Sequence, residues 1–219
     1  VNIAGGLCYF LWNSTYSGIC DVTNVSGTKA ISAVKRRLNE FSIFVRSNIS
    51  VDIIRRIIDS GEQTCDTMVK SYSYFAIRSF ERGSNEKHNS DDVILLSSSG
   101  KGYFSKGKVV DRDGILGKYK TIITYAMSGG NKPSSEGNYQ VASSIMTLGP
   151  NEVCTETYLI LGVFETKEES ENMCGYIKTK FFRFLLLQAL TSIHITKDSF
   201  CFVPIQDFKQ FWTDADLYS

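Results

Sequence analysis

The side chains that could do chemistry in this chain are few, and their spacing excludes most enzyme classes. The 219 residues hold two histidines, His88 and His194. Neither lies beside a serine, cysteine or carboxylate in a triad-like context, so both read as surface residues. The string GKGYFSKG at 100–107 has neither the spacing of a phosphate-binding loop nor the following Lys-Ser/Thr. Glu165-Thr166-Lys167 matches the last part of a PD-(D/E)xK nuclease motif, but no Pro-Asp precedes it. Methylation of an adenine amino group needs an Asn/Asp-Pro-Pro-Tyr/Phe loop around the flipped base. This chain has no Pro-Pro pair and no glycine motif for S-adenosylmethionine. The six cysteines are scattered without zinc spacing and read as reduced, mostly buried thiols of a cytoplasmic protein.

Charge distribution carries more information than total charge, which is +1. Over 28–59, Lys29, Lys35, Arg36, Arg37, Arg46, Arg55 and Arg56 stand against Glu40, Asp52 and Asp59. Over 101–132, Lys101, Lys106, Lys108, Arg112, Lys118, Lys120 and Lys132 face only Asp111 and Asp113. The stretch 151–173 instead carries six glutamates and Lys167. Two basic segments and one acidic segment predict a polarised molecule. Tyr103, Phe104, Tyr119 and Asn131 interleave the second basic segment and Asn138 and Gln140 follow it, supplying ring faces and amides suited to nucleic acid.

These residues must be positioned by a fold of ordinary composition. Hydrophobic residues make up 42% and charged residues 21%, with three prolines, 14 Phe and 11 Tyr, a mix that favours substantial sheet. No apolar run reaches the roughly 18 residues of a membrane span, so no membrane partner is expected. A hairpin is predicted from Leu7–Trp12 and Ile19–Val25, and a chain opening on Val1 inside a strand-like run reads as cut from something longer. A helix is expected after Ser50 as N-cap, with Ile53, Ile54, Ile57 and Ile58 as its apolar face and Gly61 as its end. Strands are predicted within 71–83, 93–99, 118–127, 155–164 and 199–205, and a hairpin within 100–110. Thr166 and Glu169 form a capping box opening one long helix over about 166–190. Strands and helices mix without a β-α-β rhythm, so the class is α+β: a twisted mixed or antiparallel sheet with flanking helices.

Four segments in series, GGLCYFLWN (5–13), CTETYLILGVF (154–164), YIKTKFFRFLLLQ (176–188) and FVPIQDFKQFWTDADLY (202–218), with GKYKTIITYA (117–126) in support, resemble the C-terminal part of bacterial adenine-specific DNA methyltransferases of type II (type IIG-like) restriction–modification systems. There the region is the target recognition domain, similar to that of type I specificity subunits. The resemblance implies that residues 1–26 are a terminal hairpin of the methyltransferase domain and that 27–219 form the recognition domain. It implies double-stranded DNA and the N-terminal methyltransferase domain of the same polypeptide as partners. S-adenosylmethionine would serve the parent and no cofactor this fragment. Catalysis then belongs to the parent, and whether the parent also cleaves DNA is left open. Base reading falls to Arg78, Arg82, Lys101, Tyr103, Asn131, Asn138 and Gln140. Phosphate contact falls to Lys35, Arg36, Arg37, Lys106, Lys108, Lys118, Lys120 and Lys132. Two rival readings are a protein-interaction module working through the acidic 151–173 face, and a small metal-dependent nuclease using Glu165 and Lys167.

Overall fold

The computed structural model describes residues 8–126, 141–190, 192 and 194–217. The protein is α+β, with three small sheets and four α-helices among these residues. The first sheet is a hairpin, β1 (Cys20–Ser26) antiparallel to β2 (Lys29–Arg36), with Gly27 in the left-handed conformation at its turn. The predicted pairing of 7–12 with 19–25 is therefore corrected. Residues 8–12 form no strand and are exposed, and the partner of β1 is the segment that follows it. The division between residues 26 and 27 falls within this turn.

Helix α1 (Val51–Asp59) begins where expected, but Ser50 caps nothing with its side chain because a 3-10 turn over Asn48–Ser50 runs straight into it. Of its four isoleucines only Ile54 is fully buried, while Ile53 and Ile58 are exposed. The predicted strand at 71–83 is absent. Ser73 and Ala76 hold positive φ of 56° and 57°, a backbone that L-residues rarely adopt and that breaks any ladder. The segment turns twice, leaving Phe75 and Ile77 buried and Tyr72 exposed.

Beyond it, β3 (Val93–Ser97) pairs antiparallel with β4 (Gly100–Phe104) and parallel with β7 (Glu152–Cys154), in the order β4-β3-β7. β5 (Tyr119–Thr124) is central to the third sheet, between β6 (Met146–Leu148) and β8 (Tyr158–Phe164), both antiparallel to it. Alternation along β5 and β8 explains the layering. Ile123, Leu159 and Leu161 pack with the helices in one core, and Ile122 and Ile160 pack with Leu95 and Val153 of the neighbouring sheet in another. This sheet is covered on both faces, so β8 reads as a continuous apolar run.

The expected long helix is two helices, α2 (Lys167–Lys178) and α3 (Lys180–Ala189). The capping box of Thr166 and Glu169 is formed as predicted. Thr179 then adopts extended backbone (φ −65°, ψ 153°), donates to the Tyr176 carbonyl and accepts from the Phe182 N–H, closing one helix and opening the next. Asp214, in the short α4 (Asp214–Leu217), accepts from the Lys180 N–H at 2.6 Å. The 199–205 segment is no strand. A 3-10 turn over Lys197–Phe200 leads to buried Phe202 and Val203, and only Pro204 bridges, to Thr64.

Candidate nucleic-acid interface

The edge strand β4 gathers several of the predicted residues. Backbone bonds between Ser84 and Tyr103, 2.7 Å in each direction, lay the 82–84 segment along β4. Two glycines permit this approach. A Cβ at Gly83 would stand 2.4 Å from the Gly102 carbonyl carbon, so neither position has room for a side chain. The crossing sets Ser84, two residues after Arg82, opposite Tyr103 on a strand that also carries Lys101 and leads within two residues to Lys106. Lys106 and Lys108 are exposed on a short 3-10 turn, and the Lys108 ammonium lies 5.8 Å from the centre of the Phe104 ring. Arg82 folds Nη1 back onto the carbonyls of Ser79 and Glu81.

Other cations are engaged by acids from the 151–173 segment. Lys101 pairs with Glu152 at 2.5 Å, Lys118 with Glu165 at 2.6 Å and Arg78 with Glu156 at 3.2 Å. Burial alone would raise the Glu152 carboxyl, but Lys101 and the Gly149 N–H hold it below the usual carboxylate range. Glu156 is likewise lowered, first by the Ser79 N–H and then by Arg78. The polarity predicted from the linear charge count is thus partly cancelled, because folding interleaves the basic and acidic segments. A groove of about 780 Å³ between β4, β6 and α2 shows much of the same cancellation, being lined by Lys101 and Glu152 and by Lys167 and Glu171, with Lys178 as a further cation.

Two phosphate candidates are corrected outright. Lys120 is 0% exposed and its ammonium donates to the carbonyls of Leu116 at 3.2 Å and Gly149 at 3.0 Å, with Ile115 at 3.5 Å. Burial lowers its pKa to about 8. Arg36 is 8% exposed, donates Nη2 to the Val45 carbonyl at 2.6 Å and lies over the Phe44 ring. Its pKa is lowered by burial, with Glu40 opposing. Both cations tie backbone together and present no charge to a phosphate. Lys35 and Arg37 remain exposed on either side of Arg36. Asn131, Lys132, Asn138 and Gln140 lie outside the described residues.

The residues invoked by the two rival readings are committed elsewhere. Glu165 is held by Lys118, and Lys167 pairs with Glu171 at 3.0 Å. Among the described residues no group of three His, Cys, Asp or Glu side chains could hold a metal ion. Of the acidic face, Glu152, Glu156, Glu165 and Glu171 sit in ion pairs and Glu169 closes the capping box.

A second cluster has no signature in the sequence. Tyr72, Tyr125 and His194 follow in series, Tyr125 stacked on His194 with ring centres 4.9 Å apart and Tyr72 tilted by 40° against Tyr125 at 4.4 Å. Tyr72 also lines a recess of about 480 Å³ with Lys70, Arg112, Asp113 and Lys197. Lys70 pairs with Asp113 at 2.8 Å. Tyr74 braces the wall, donating to Asp111 and accepting from the Asp113 N–H. No spacing rule joins positions 72, 125 and 194. Two of these rings are brought together only by the bridge between Ala126 and His194.

No family model, curated protein or solved structure matches the chain.

Proposed function

We propose that this chain is a sequence-specific double-stranded DNA recognition domain of a restriction–modification adenine methyltransferase. The observation that carries the reading is the convergence of Arg82, Tyr103, Lys106 and Lys108 at edge strand β4, beside the Lys101–Glu152 pair, from segments about twenty residues apart. An edge strand flanked by cations and a tyrosine offers hydrogen-bonding side chains for base edges and point charges for phosphates. Lys35 near the end of β2 and Arg37 just beyond it add phosphate contacts. Methyl transfer, with S-adenosylmethionine, belongs to a catalytic domain of the same polypeptide. The exposed apolar residues Tyr9, Phe10, Leu11 and Trp12, with Ile31 and Val34 of the hairpin, suit a seam with that domain.

The test is selection from a pool of random duplex DNA at low and moderate salt, with sequencing of the retained fraction. Enrichment of one short motif is expected, with Lys106→Gln and Lys108→Gln each reducing the salt slope by about 0.9 while leaving the motif unchanged. Arg82→Ala is expected to relax preference at one position. No salt-dependent retention would sink the reading and turn attention to the apolar N-terminal surface as a protein-binding face.

A further inference from the structure

We propose that the recess beneath Tyr72 binds a nucleotide, its base stacked on the Tyr72 ring and its phosphate held by Arg112 and Lys197. This goes beyond duplex recognition and uses none of the residues placed on β4. Three features support it. First, Tyr72 is 49% exposed yet braced from behind by Tyr125 and His194, so the stack has an open end and a fixed orientation. A supported ring face accepts any base, since every base has a π-face.

Second, the recess shares Tyr72 with three cations and one carboxylate, and that carboxylate is already taken by Lys70. Arg112 and Lys197 are exposed at its wall, leaving an excess of positive charge suited to a phosphate. Glu156, the acid that acts on the Tyr72 hydroxyl, is paired with Arg78 at 3.2 Å. Third, the backbone is built for the presentation. Left-handed Ser73 and Ala76 turn Phe75 into the core, while Tyr72 stays outside. At about 480 Å³ the recess lies within the roughly 300–1,000 Å³ range of small-ligand sites. The larger groove beside β4 carries a smaller excess, two of its three lysines being paired with Glu152 and Glu171 and only Lys178 remaining.

The phosphate and base could come from a free nucleotide or from an unpaired strand, and one experiment separates them. A short labelled oligothymidylate is titrated with the purified chain by fluorescence anisotropy, then competed with thymidine monophosphate, with inorganic phosphate and with an abasic strand of equal length. Saturable binding is expected, with the abasic strand and Tyr72→Ala each weaker by about ten-fold or more. Tyr72→Phe should bind as wild type, since stacking needs the ring and not the hydroxyl. Arg112→Gln with Lys197→Gln should lower the salt slope by about 1.4. Displacement by thymidine monophosphate assigns the site to free nucleotides, and displacement only by strands assigns it to unpaired nucleic acid. The proposal is overturned if oligothymidylate does not bind saturably, or if Tyr72→Ala and the abasic strand bind as tightly as their parents. It is also overturned if inorganic phosphate displaces the strand as readily as the monophosphate displaces it. Circular dichroism of Tyr72→Ala controls for folding. Motif enrichment from duplex DNA should be unchanged in that variant, so failure here and failure of the duplex reading are distinguishable.

Discussion

The β1–β2 hairpin and the α2–α3 pair are both amphipathic in sequence, yet they meet solvent in opposite ways. Tyr176, Ile177, Phe182, Leu185 and Leu186 of the helices are fully buried in one core with β5 and β8. Neither core contains a residue from the hairpin. Among the described residues, exposed large apolar side chains fall between Tyr9 and Ile58, apart from Tyr72, Phe80, Val110 and Phe211. The hairpin is held instead by polar bonds. Asn48 donates to the Val22 carbonyl at 2.8 Å and to Ser32, Asn24 accepts from the Asn48 N–H and donates to the Arg46 carbonyl, and Arg36 donates to Val45. Two of the buried polar atoms without a partner, Arg36 Nε and Asn48 Oδ1, are in this clasp. Extended apolar surface of this kind marks an interaction site, whereas the helices have already found their partners.

The largest effect should come from the helical side. Phe182→Ala is expected to cost about 3–5 kcal/mol in urea unfolding, through lost burial and the cavity left behind. A cost below about 1 kcal/mol would mean that the helices are no better anchored than the hairpin. Lys120 gives the next effect. Its folded pKa, near 8, lies below the ordinary 10.5, so between those values the unfolded chain binds more protons and this group makes stability rise with pH. The difference in unfolding free energy between wild type and Lys120→Met should therefore change by up to about 3 kcal/mol between pH 7 and pH 10.5. Comparing the two proteins removes the opposing contribution of Cys65 and Tyr176, whose pKa values burial raises. A flat difference would place the ammonium in water.

Gly102→Ala should cost about 1–3 kcal/mol, because the new methyl group would meet the Gly83 backbone. It should also reduce duplex retention, since it separates the 82–84 segment from β4. Asn48→Ala is expected to cost about 1–2 kcal/mol and to raise amide exchange over 20–36 while leaving 158–164 unchanged. Equal exchange in both regions would erase the distinction between them. Smallest of all, Ile31→Ser with Val34→Ser should alter stability by less than about 0.5 kcal/mol.

What the sequence revealed follows from the range of the forces involved. The capping box, β3, β5, β8 and the α+β class were legible because they rest on local periodicity and on bonds three residues long. The single helix over 166–190 was misread because Thr179 carries two caps through one hydroxyl, which apolar spacing does not register. The strand expected at 199–205 was misread because Phe200, Phe202 and Val203 are buried by tertiary packing and not by a ladder. For the interface, exposed Lys106 and Lys108 were recognisable as charges, but Lys120 and Arg36 look identical to them in a charge count. Only folding shows which cations are consumed by carbonyls. The Tyr72 stack was invisible for the same reason, since its three rings meet only after the sheets form.

The clasp that holds the hairpin also sets how its attachment responds to temperature. Apolar packing carries a large positive heat capacity of unfolding and weakens on cooling, while exposure of polar groups contributes with the opposite sign. A joint made from Asn24, Asn48, Arg36 and backbone carbonyls therefore lacks the cold weakness of the cores beside it. As temperature falls, the hairpin should hold its place while the layers behind it loosen, and on warming it should be the first element to swing free.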